Sequence, residues 1–261
     1  MNLDLGGKHA LVCGGSEGIG RATAIELALL GADITLLARR EEALRETLAA
    51  LSANGTQKHG YLVADVSQMQ ALGKDVAALA AGKPVQILIN NTGGPPGGAA
   101  HAAGIEAYLD AFNKHLVANQ TLLQAVLPGM RVAHWGRIVN VISTSVYEPI
   151  PNLGVSNTIR GAVASWAKTL SRELGGDGIT VNNVLPGYTR TQRLDQILTD
   201  RSAASGKPQD EIAKAMLASV PAGRFAEAGE IGGVIAFLCT QAAAYVNGQS
   251  LAVDGGRMQS I

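Results

Sequence analysis

Short apolar runs alternate with longer stretches of helical periodicity along most of this chain. The apolar runs predict seven strands, at residues 9–13, 33–38, 59–64, 85–90, 137–142, 179–185 and 250–253. The longer stretches predict helices at residues 21–30, 41–53, 68–80, 106–128 and 154–175. Because the strands are apolar throughout, without alternating polar positions, the pattern is typical of a parallel sheet covered on both faces.

This order of elements predicts an α/β fold, in which a seven-stranded parallel sheet is flanked by helices in the doubly wound (Rossmann) arrangement. At 261 residues the chain fits one domain that spans residues 1–261. Residues 190–224 are polar, are interrupted by Gly206-Lys207-Pro208 and follow the sixth strand. We therefore expect an irregular flap over a substrate pocket at 190–224.

Composition narrows the function classes. The 21 basic and 21 acidic residues give zero net charge, so the chain lacks the basic surface that nucleic-acid binding requires. Cys13 and Cys239 lie in separate apolar runs, which argues against a disulfide framework or a metal site and favours a reducing compartment. The N-terminus lacks a signal pattern and no apolar run reaches membrane-spanning length, so we expect a cytoplasmic protein.

A glycine-rich turn follows the first strand and leads into a helix, in the order Cys13-Gly14-Gly15-Ser16-Glu17-Gly18-Ile19-Gly20. Gly14 permits a tight turn, Gly18 leaves room for a pyrophosphate, and Gly20 lets helix and strand pack closely. The N–H groups at the start of the helix would face the phosphates. The motif predicts a dinucleotide site, and the alternative is a glycine-rich turn without a ligand.

The end of the second strand distinguishes NAD from NADP. An acidic residue there would bind a ribose 2′-hydroxyl, but the chain reads Ala38-Arg39-Arg40. Because a guanidinium matches phosphate, Arg39, with help from Ser16, is our candidate for the 2′-phosphate of NADP(H). The alternative is that both arginines pair with Glu41 or Glu42 at the start of the next helix, and NAD(H) then stays open as the cofactor.

These motifs resemble the short-chain dehydrogenase/reductase family, in particular its 3-oxoacyl reductases. Beyond the glycine turn, the resemblance rests on Asp65-Val66, Asn90-Asn91-Thr92-Gly93, Pro186-Gly187 with Thr191, and Val253-Asp254-Gly255-Gly256, so it covers nearly the whole chain. It implies a homotetramer built through the helices at 106–128 and 154–175 and the last strand. Together with the glycine turn, Ser16 and Arg39 inferred above, it gives the candidate cofactor contacts Gly14, Ser16, Gly18, Ile19, Gly20, Arg39, Asp65, Val66, Asn91, Arg160, Pro186, Gly187 and Thr191.

The resemblance also implies a catalytic serine, tyrosine, lysine and asparagine, and the chain matches only the first. Ser143 falls at the serine position, whereas Ser156 stands where the family has tyrosine. Arg160 stands at the lysine position and His115 at the asparagine position. Arg160 can still donate hydrogen bonds to a ribose, but unlike lysine it does not relay a proton.

The proton donor is therefore open at this point. Water, His115, Tyr188 or Tyr147 could supply the proton, since an imidazole titrates near about 6.5 and a phenol near about 10. The competing interpretations are a hydrogen-bonded histidine at a helix interface and tyrosines that only form pocket walls. The mixed charges of residues 190–224 predict a solvated surface rather than an anion site.

Three functional hypotheses follow. The first is an NADP(H)-dependent oxidoreductase that acts on a small carbonyl or alcohol and orients the substrate oxygen with Ser143 and Ser156. The second is a regulatory relative that binds the cofactor without turnover. The third is non-redox chemistry of the kind performed by halohydrin dehalogenases, against which the complete glycine turn argues.

Overall fold

The computed structural model describes residues 1–53 and 56–260 and contains a seven-stranded parallel sheet in the order β3-β2-β1-β4-β5-β6-β7. The strand order reverses between β1 and β4, which opens a crevice at the carboxyl ends of these two strands. The predicted fold class is confirmed. The strands are β1 His9–Cys13, β2 Asp33–Ala38, β3 Gly60–Val63, β4 Ile87–Asn90, β5 Gly136–Val141, β6 Ile179–Pro186 and β7 Ser250–Val253.

Helices cover both faces of the sheet. Successive residues of β5 point to opposite faces, so that Ile138 joins one buried cluster and Val139 the other. One cluster packs under α1 and α9, and the other under α3, α5 and α6. The helices are α1 Gly18–Leu29, α2 Glu41–Ala49, α3 Met69–Gly82, α4 Ile105–Phe112, α5 Ala118–Val132, α6 Gly154–Leu174, α7 Gln192–Ser205, α8 Gln209–Leu217 and α9 Ala228–Leu238.

Several predicted boundaries were wrong by more than a residue or two. The helix predicted at 106–128 runs from α4 through a π-helical turn, Asn113–Val117, into α5 and continues past Pro128 to Val132. Pro128 removes one N–H donor and its ring crowds the carbonyl one turn before it, but the helix continues because its apolar face, which includes Leu122, Val126 and Met130, is buried. The helix predicted at 41–53 ends at Ala49, where the chain turns to bury Leu51.

The prediction of an irregular stretch at 190–224 was also wrong, because α7 and α8 occupy most of it. These helices pack around their own small apolar cluster, which includes Leu194, Ile212 and Phe225. The helix α9 was not predicted at all. It is apolar around its whole circumference, so it has no amphipathic period, although Glu227 and Glu230 form a capping box at its start. In the described ranges, no helix has both the length and the apolar character that a bilayer crossing needs.

Candidate functional site

A cavity of about 630 Å³ lies at the carboxyl ends of the strands, where the strand order reverses. Segments that follow β1 to β6 all contribute to its wall. The cavity brings together every site residue proposed from the sequence except Gly20, which lies beneath the glycine turn. The predicted residues in its lining are Gly14, Ser16, Gly18, Ile19, Arg39, Asp65, Val66, Asn91, His115, Ser143, Ser156, Arg160, Pro186, Gly187 and Thr191.

The glycine turn forms one end of the cavity. Gly14 and Gly18 have φ values of 59° and 53°, in the left-handed region that favours glycine. A Cβ atom on Gly20 would lie 2.1 Å from the carbonyl oxygen of Gly14, so only glycine allows this approach of helix to strand. No side chain caps α1, so its first N–H groups are available to a phosphate.

The two arginines after β2 behave differently. Arg40 forms an ion pair with Glu17, so the alternative, in which both arginines pair with Glu41 or Glu42, is not what the structure contains. Arg39 is exposed on the cavity wall and has no ion pair among the residues that the structure describes. It faces Asp65, whose carboxyl pKa is lowered mainly by the Ser67 backbone N–H and further by Arg39. Arg39 is therefore the cation available at this end of the cavity.

Asn91 and Gly187 hold the cavity in shape. The Asn91 side-chain amide donates to the carbonyl oxygens of Cys13 and Gly14 over 3.3 and 3.4 Å, which ties the end of β4 to the glycine turn. A Cβ on Gly187 would lie 2.6 Å from the Cα of Asp254, so glycine is required where β6 leaves the sheet beside the chain after β7. Both residues belong to motifs on which the family resemblance rests.

Ser143, Ser156 and Arg160 line the other end of the cavity, where β5 ends and α6 begins. The Ser143 hydroxyl oxygen accepts the Ser145 backbone N–H over 3.1 Å, which leaves its own proton free to donate. Ser156 has no side-chain hydrogen bond in the described part of the chain. Two half-buried hydroxyls can therefore point donors at a ligand oxygen here.

The Arg160 guanidinium is buried and bonded to main-chain oxygens. Nη1 donates to the carbonyl of Val141 over 2.9 Å, and Nη2 donates to that of Thr92 over 3.4 Å. Burial, with a smaller effect of the like charge of Arg193, lowers the pKa of Arg160 to about 10. Arg160 is thus a cation at neutral pH whose position is fixed by the ends of β4 and β5.

His115 lies in the π-helical turn between α4 and α5. Its ring is buried, and Nδ1 lies 2.7 Å from the Thr92 hydroxyl. Burial, together with the positive charges of Arg160 and Lys114, lowers the pKa of His115 to about 3. The ring is therefore neutral at pH 7 and cannot act there as an imidazolium acid.

The two tyrosines considered as proton donors occupy different surroundings. Tyr188 lines the cavity and packs edge-on against Phe225, and its hydroxyl has no hydrogen-bond partner among the described residues. Tyr147 is 53% exposed and does not line the cavity, so the expectation that it borders the pocket was wrong. The short helical turn after Ser143 directs it to solvent.

Sequence reasoning did not identify two further cations of the cavity wall. Arg193, at the start of α7, reaches across to donate to the carbonyl of Pro95 over 3.0 Å. Arg257, after β7, donates to the Thr144 hydroxyl over 3.2 Å and stacks 4.8 Å from the centre of the Tyr188 ring. Neither residue stands in a motif, so only the fold reveals them. Within residues 1–53 and 56–260, no cluster of His, Cys, Asp and Glu side chains could hold a metal ion.

Comparison with known proteins gives a consistent picture. A family model described as enoyl-(acyl carrier protein) reductase matches residues 14–257. The 3-oxoacyl-(acyl-carrier-protein) reductase FabG of Pseudomonas aeruginosa is 35% identical over 262 residues, which cover 99% of this chain and 100% of that protein. Gluconate 5-dehydrogenase of Gluconobacter oxydans is 31% identical over 255 residues, which cover 97% of this chain and 96% of that protein. L-sorbose reductase from Gluconobacter frateurii, in a crystal structure with NADPH and L-sorbose, has a TM-score of 0.93 at 27% identity, covering 100% of both chains.

Proposed function

Since the chain belongs to the short-chain dehydrogenase/reductase family, we propose that it is an NADP(H)-dependent oxidoreductase that interconverts a small carbonyl compound and its alcohol. The observation that carries this proposal is the single cavity that joins the glycine turn to Ser143, Ser156 and Arg160. One end fits a dinucleotide phosphate, and the other end presents hydroxyl donors to a substrate oxygen.

NADP(H) is proposed over NAD(H) because of the charge at the end of β2. Arg39 is exposed on the cavity wall without a carboxylate partner in the described ranges, so its fork of donors can bind a 2′-phosphate. Asp65 and Val66 would border the adenine, and Pro186, Gly187 and Thr191 would border the nicotinamide, as the family resemblance implies. The NADPH in the L-sorbose reductase structure supports the same choice.

When bound, NADP(H) supplies or accepts the hydride, and the chain positions the substrate for it. Ser143 and Ser156 donate hydrogen bonds to the substrate oxygen and hold the carbonyl in one orientation. Arg160 donates to the nicotinamide ribose and adds a fixed positive charge, which stabilises negative charge that develops on that oxygen. Arg160 does not transfer the proton, because a guanidinium stays protonated at neutral pH.

We assign the proton to the Tyr188 hydroxyl. His115, the other candidate in the wall, is held neutral and is hydrogen-bonded to Thr92. Tyr188 lines the cavity, and its hydroxyl has no hydrogen-bond partner among the described residues, so it is free to donate to a substrate oxygen. His115 is then a positioning residue that fixes Thr92 at the end of β4.

The second candidate function is cofactor binding without turnover. Ser156 and Arg160 favour this candidate, because neither can act as the acid that the family resemblance implies at the start of α6. The two functions separate in one experiment, which titrates NADPH and NADH by fluorescence and then follows NADPH loss with ketones and β-ketoacyl thioesters. Turnover that Tyr188→Phe abolishes without weakening NADPH binding supports the oxidoreductase. Tight binding without turnover across the panel supports the second candidate, and no binding of either cofactor contradicts both.

Two further features belong to this proposal. Residues 190–224, now including α7 and α8, act as the flap over the substrate end, to which they contribute Arg193 and Leu194. The chain assembles as a homotetramer through α4 to α6 and β7, all within one domain. Exposed apolar side chains on these elements support the assembly, namely Ile105, Leu109, Phe112 and Leu251.

A further inference from the structure

Three arginines at the substrate end of the cavity have no acidic partner. Arg160, Arg193 and Arg257 all line the cavity, and each donates only to a carbonyl or hydroxyl oxygen. No carboxylate lies within ion-pair distance of any of them in the described part of the chain. Charge concentrated in this way without a counterion is unfavourable, unless a ligand supplies the negative charge.

Arg160 and Arg193 point toward the same spot. A Cβ built on Gly94 would lie 3.8 Å from Nη2 of Arg160 and 3.7 Å from Nη2 of Arg193. The two guanidinium groups therefore face each other across a glycine that leaves the space between them open. Their mutual repulsion contributes to the lowered pKa of Arg160, after burial.

Arg257 has unused donor capacity. Its Nε is buried and has no hydrogen-bond partner in the described residues, although Nη1 contacts Thr144 next to Ser143. Two carboxylates lie in its neighbourhood. The Asp254 carboxylate accepts the backbone N–H groups of Gly256 and Met258 and makes no ion pair with Arg257. The carboxyl pKa of Glu148 is lowered mainly by backbone N–H groups and least by Arg257. Its Oε1 accepts the backbone N–H groups of Gln259 and Ser260, both over 2.7 Å, so Arg257 gains no direct partner from it.

The carboxylates of the cavity wall do not neutralise this cluster. Asp110 is bonded to Lys114 over 2.8 Å, and Glu17 is paired with Arg40. Asp65 lies beside Arg39, at the opposite end of the cavity. The substrate end thus carries a net positive charge that is open to an incoming anion.

We propose that the substrate is an oxo acid, a carbonyl compound with its own free carboxylate, which Arg193 and Arg257 bind while Ser143 and Ser156 hold the carbonyl oxygen. This inference rests on the proposed function and names its substrate class. The planar fork of a guanidinium matches a carboxylate, and such charge-assisted hydrogen bonds are the strong ones. Binding the acid through these arginines would offset one unit of the uncompensated positive charge of the site.

The test measures binding rather than turnover. The full chain is saturated with NADP⁺, which cannot reduce a ketone, and titrated by calorimetry with 2-oxobutanoate, acetoacetate and levulinate and with the methyl ester of each. We expect at least one acid to bind about tenfold or more tightly than its ester, since a charge-assisted contact is worth about that factor. Arg193→Gln and Arg257→Gln should each remove this preference and leave ester binding unchanged.

Arg190→Gln is the matched control. Arg190 lies three residues before Arg193, pairs with Glu227 over 3.0 Å and does not line the cavity, so the preference for the acid should persist in this variant. Equal binding of acid and ester across the panel, or loss of both in Arg193→Gln, overturns the inference. Failure of the proposed function has a different signature. An acid that binds but is never reduced by NADPH leaves the anion site standing and contradicts the oxidoreductase.

Discussion

The Nδ1 atom of His115 lies 2.7 Å from the hydroxyl oxygen of Thr92, and this contact joins the π-helical turn after α4 to the end of β4. The same stretch of chain provides the Thr92 carbonyl that accepts from Arg160. A neutral ring beside a buried guanidinium is thus built into the cavity wall. This arrangement lowers the pKa of His115, and the lowered pKa can be measured through the pH dependence of stability.

His115 should destabilise the fold at acid pH. Its pKa is about 3 when folded and 6.5 when unfolded, so the unfolded chain binds the extra proton as pH falls. The stability due to the neutral ring is complete above pH 6.5 and is lost as pH falls toward 3. Between pH 7 and pH 5 the free energy of unfolding should fall by about 2 kcal/mol less in His115→Asn than in the wild type, as measured by urea unfolding.

Exposed His101 provides the control for this measurement, because its ring is in solvent in the folded protein. His101→Asn controls for the general effect of replacing a histidine by asparagine, and only His115→Asn should lose the steep fall of stability between pH 7 and pH 5. An identical pH dependence in the wild type and in His115→Asn contradicts the assignment, as does an NMR titration of the His115 ring between pH 6 and pH 7.

Gly20 should tolerate no side chain. A Cβ there would meet the Gly14 carbonyl oxygen at 2.1 Å, so Gly20→Ala must move the turn that carries the phosphate site. We expect a loss of about 1–3 kcal/mol in unfolding free energy and a matching loss of NADPH binding. Gly233→Ala is the control, since Gly233 lies inside α9 with nothing near its Cβ position, and it should gain up to about 1 kcal/mol. Equal behaviour of the two variants would contradict this role of Gly20.

Arg39 should discriminate between the two cofactors. We expect Arg39→Ala to weaken NADPH binding about tenfold to a hundredfold and to leave NADH binding unchanged, because only NADPH has the 2′-phosphate. Fluorescence titration measures both constants. Arg45→Ala removes a nearby exposed arginine that pairs with Glu41 and lies off the cavity, so it should change neither. Equal weakening of both cofactors in Arg39→Ala would place its contact elsewhere on the dinucleotide.

The sequence was sufficient for the sheet and for the turn because each leaves a local signature. Gly14, Gly18 and Gly20 are glycines for steric reasons that act within a few residues, and the motif therefore predicts the site. Residues 190–224 gave a wrong prediction, since their helices bury an apolar cluster of their own. The mixture of basic and acidic residues in this stretch predicted a solvated surface, and that mixture did not reveal which individual side chains line the cavity. Arg190 and Arg224 pair with acids on the surface, whereas Arg193 turns into the cavity.

Restoring a phenol and an ammonium group at the start of α6 should increase activity. In the Tyr188→Phe background, where the proposed acid is missing, we expect Ser156→Tyr/Arg160→Lys to reduce ketones at least tenfold faster than Tyr188→Phe alone, as positioned acid catalysis contributes about a hundredfold or more. Ser156→Phe/Arg160→Lys supplies the same bulk without the hydroxyl and should not gain. Steady-state NADPH oxidation compares the two variants. If the variant with tyrosine binds NADPH but gains no activity, the claim that the rest of the pocket can support ketone reduction is contradicted.

Transfer of deuterium from labelled NADPH tests the central claim most directly. The full chain is incubated with NADPH that carries deuterium at both C4 positions of the nicotinamide, together with neutral ketones and oxo acids, and the alcohols are analysed by mass spectrometry. A hydride-transfer enzyme places one deuterium in the alcohol, and Ser143→Ala/Ser156→Ala should lower the yield of labelled product. If the protein binds NADPH tightly but no labelled alcohol forms from any compound of the panel, the proposed oxidoreductase function is contradicted. The protein would then bind the cofactor without turnover.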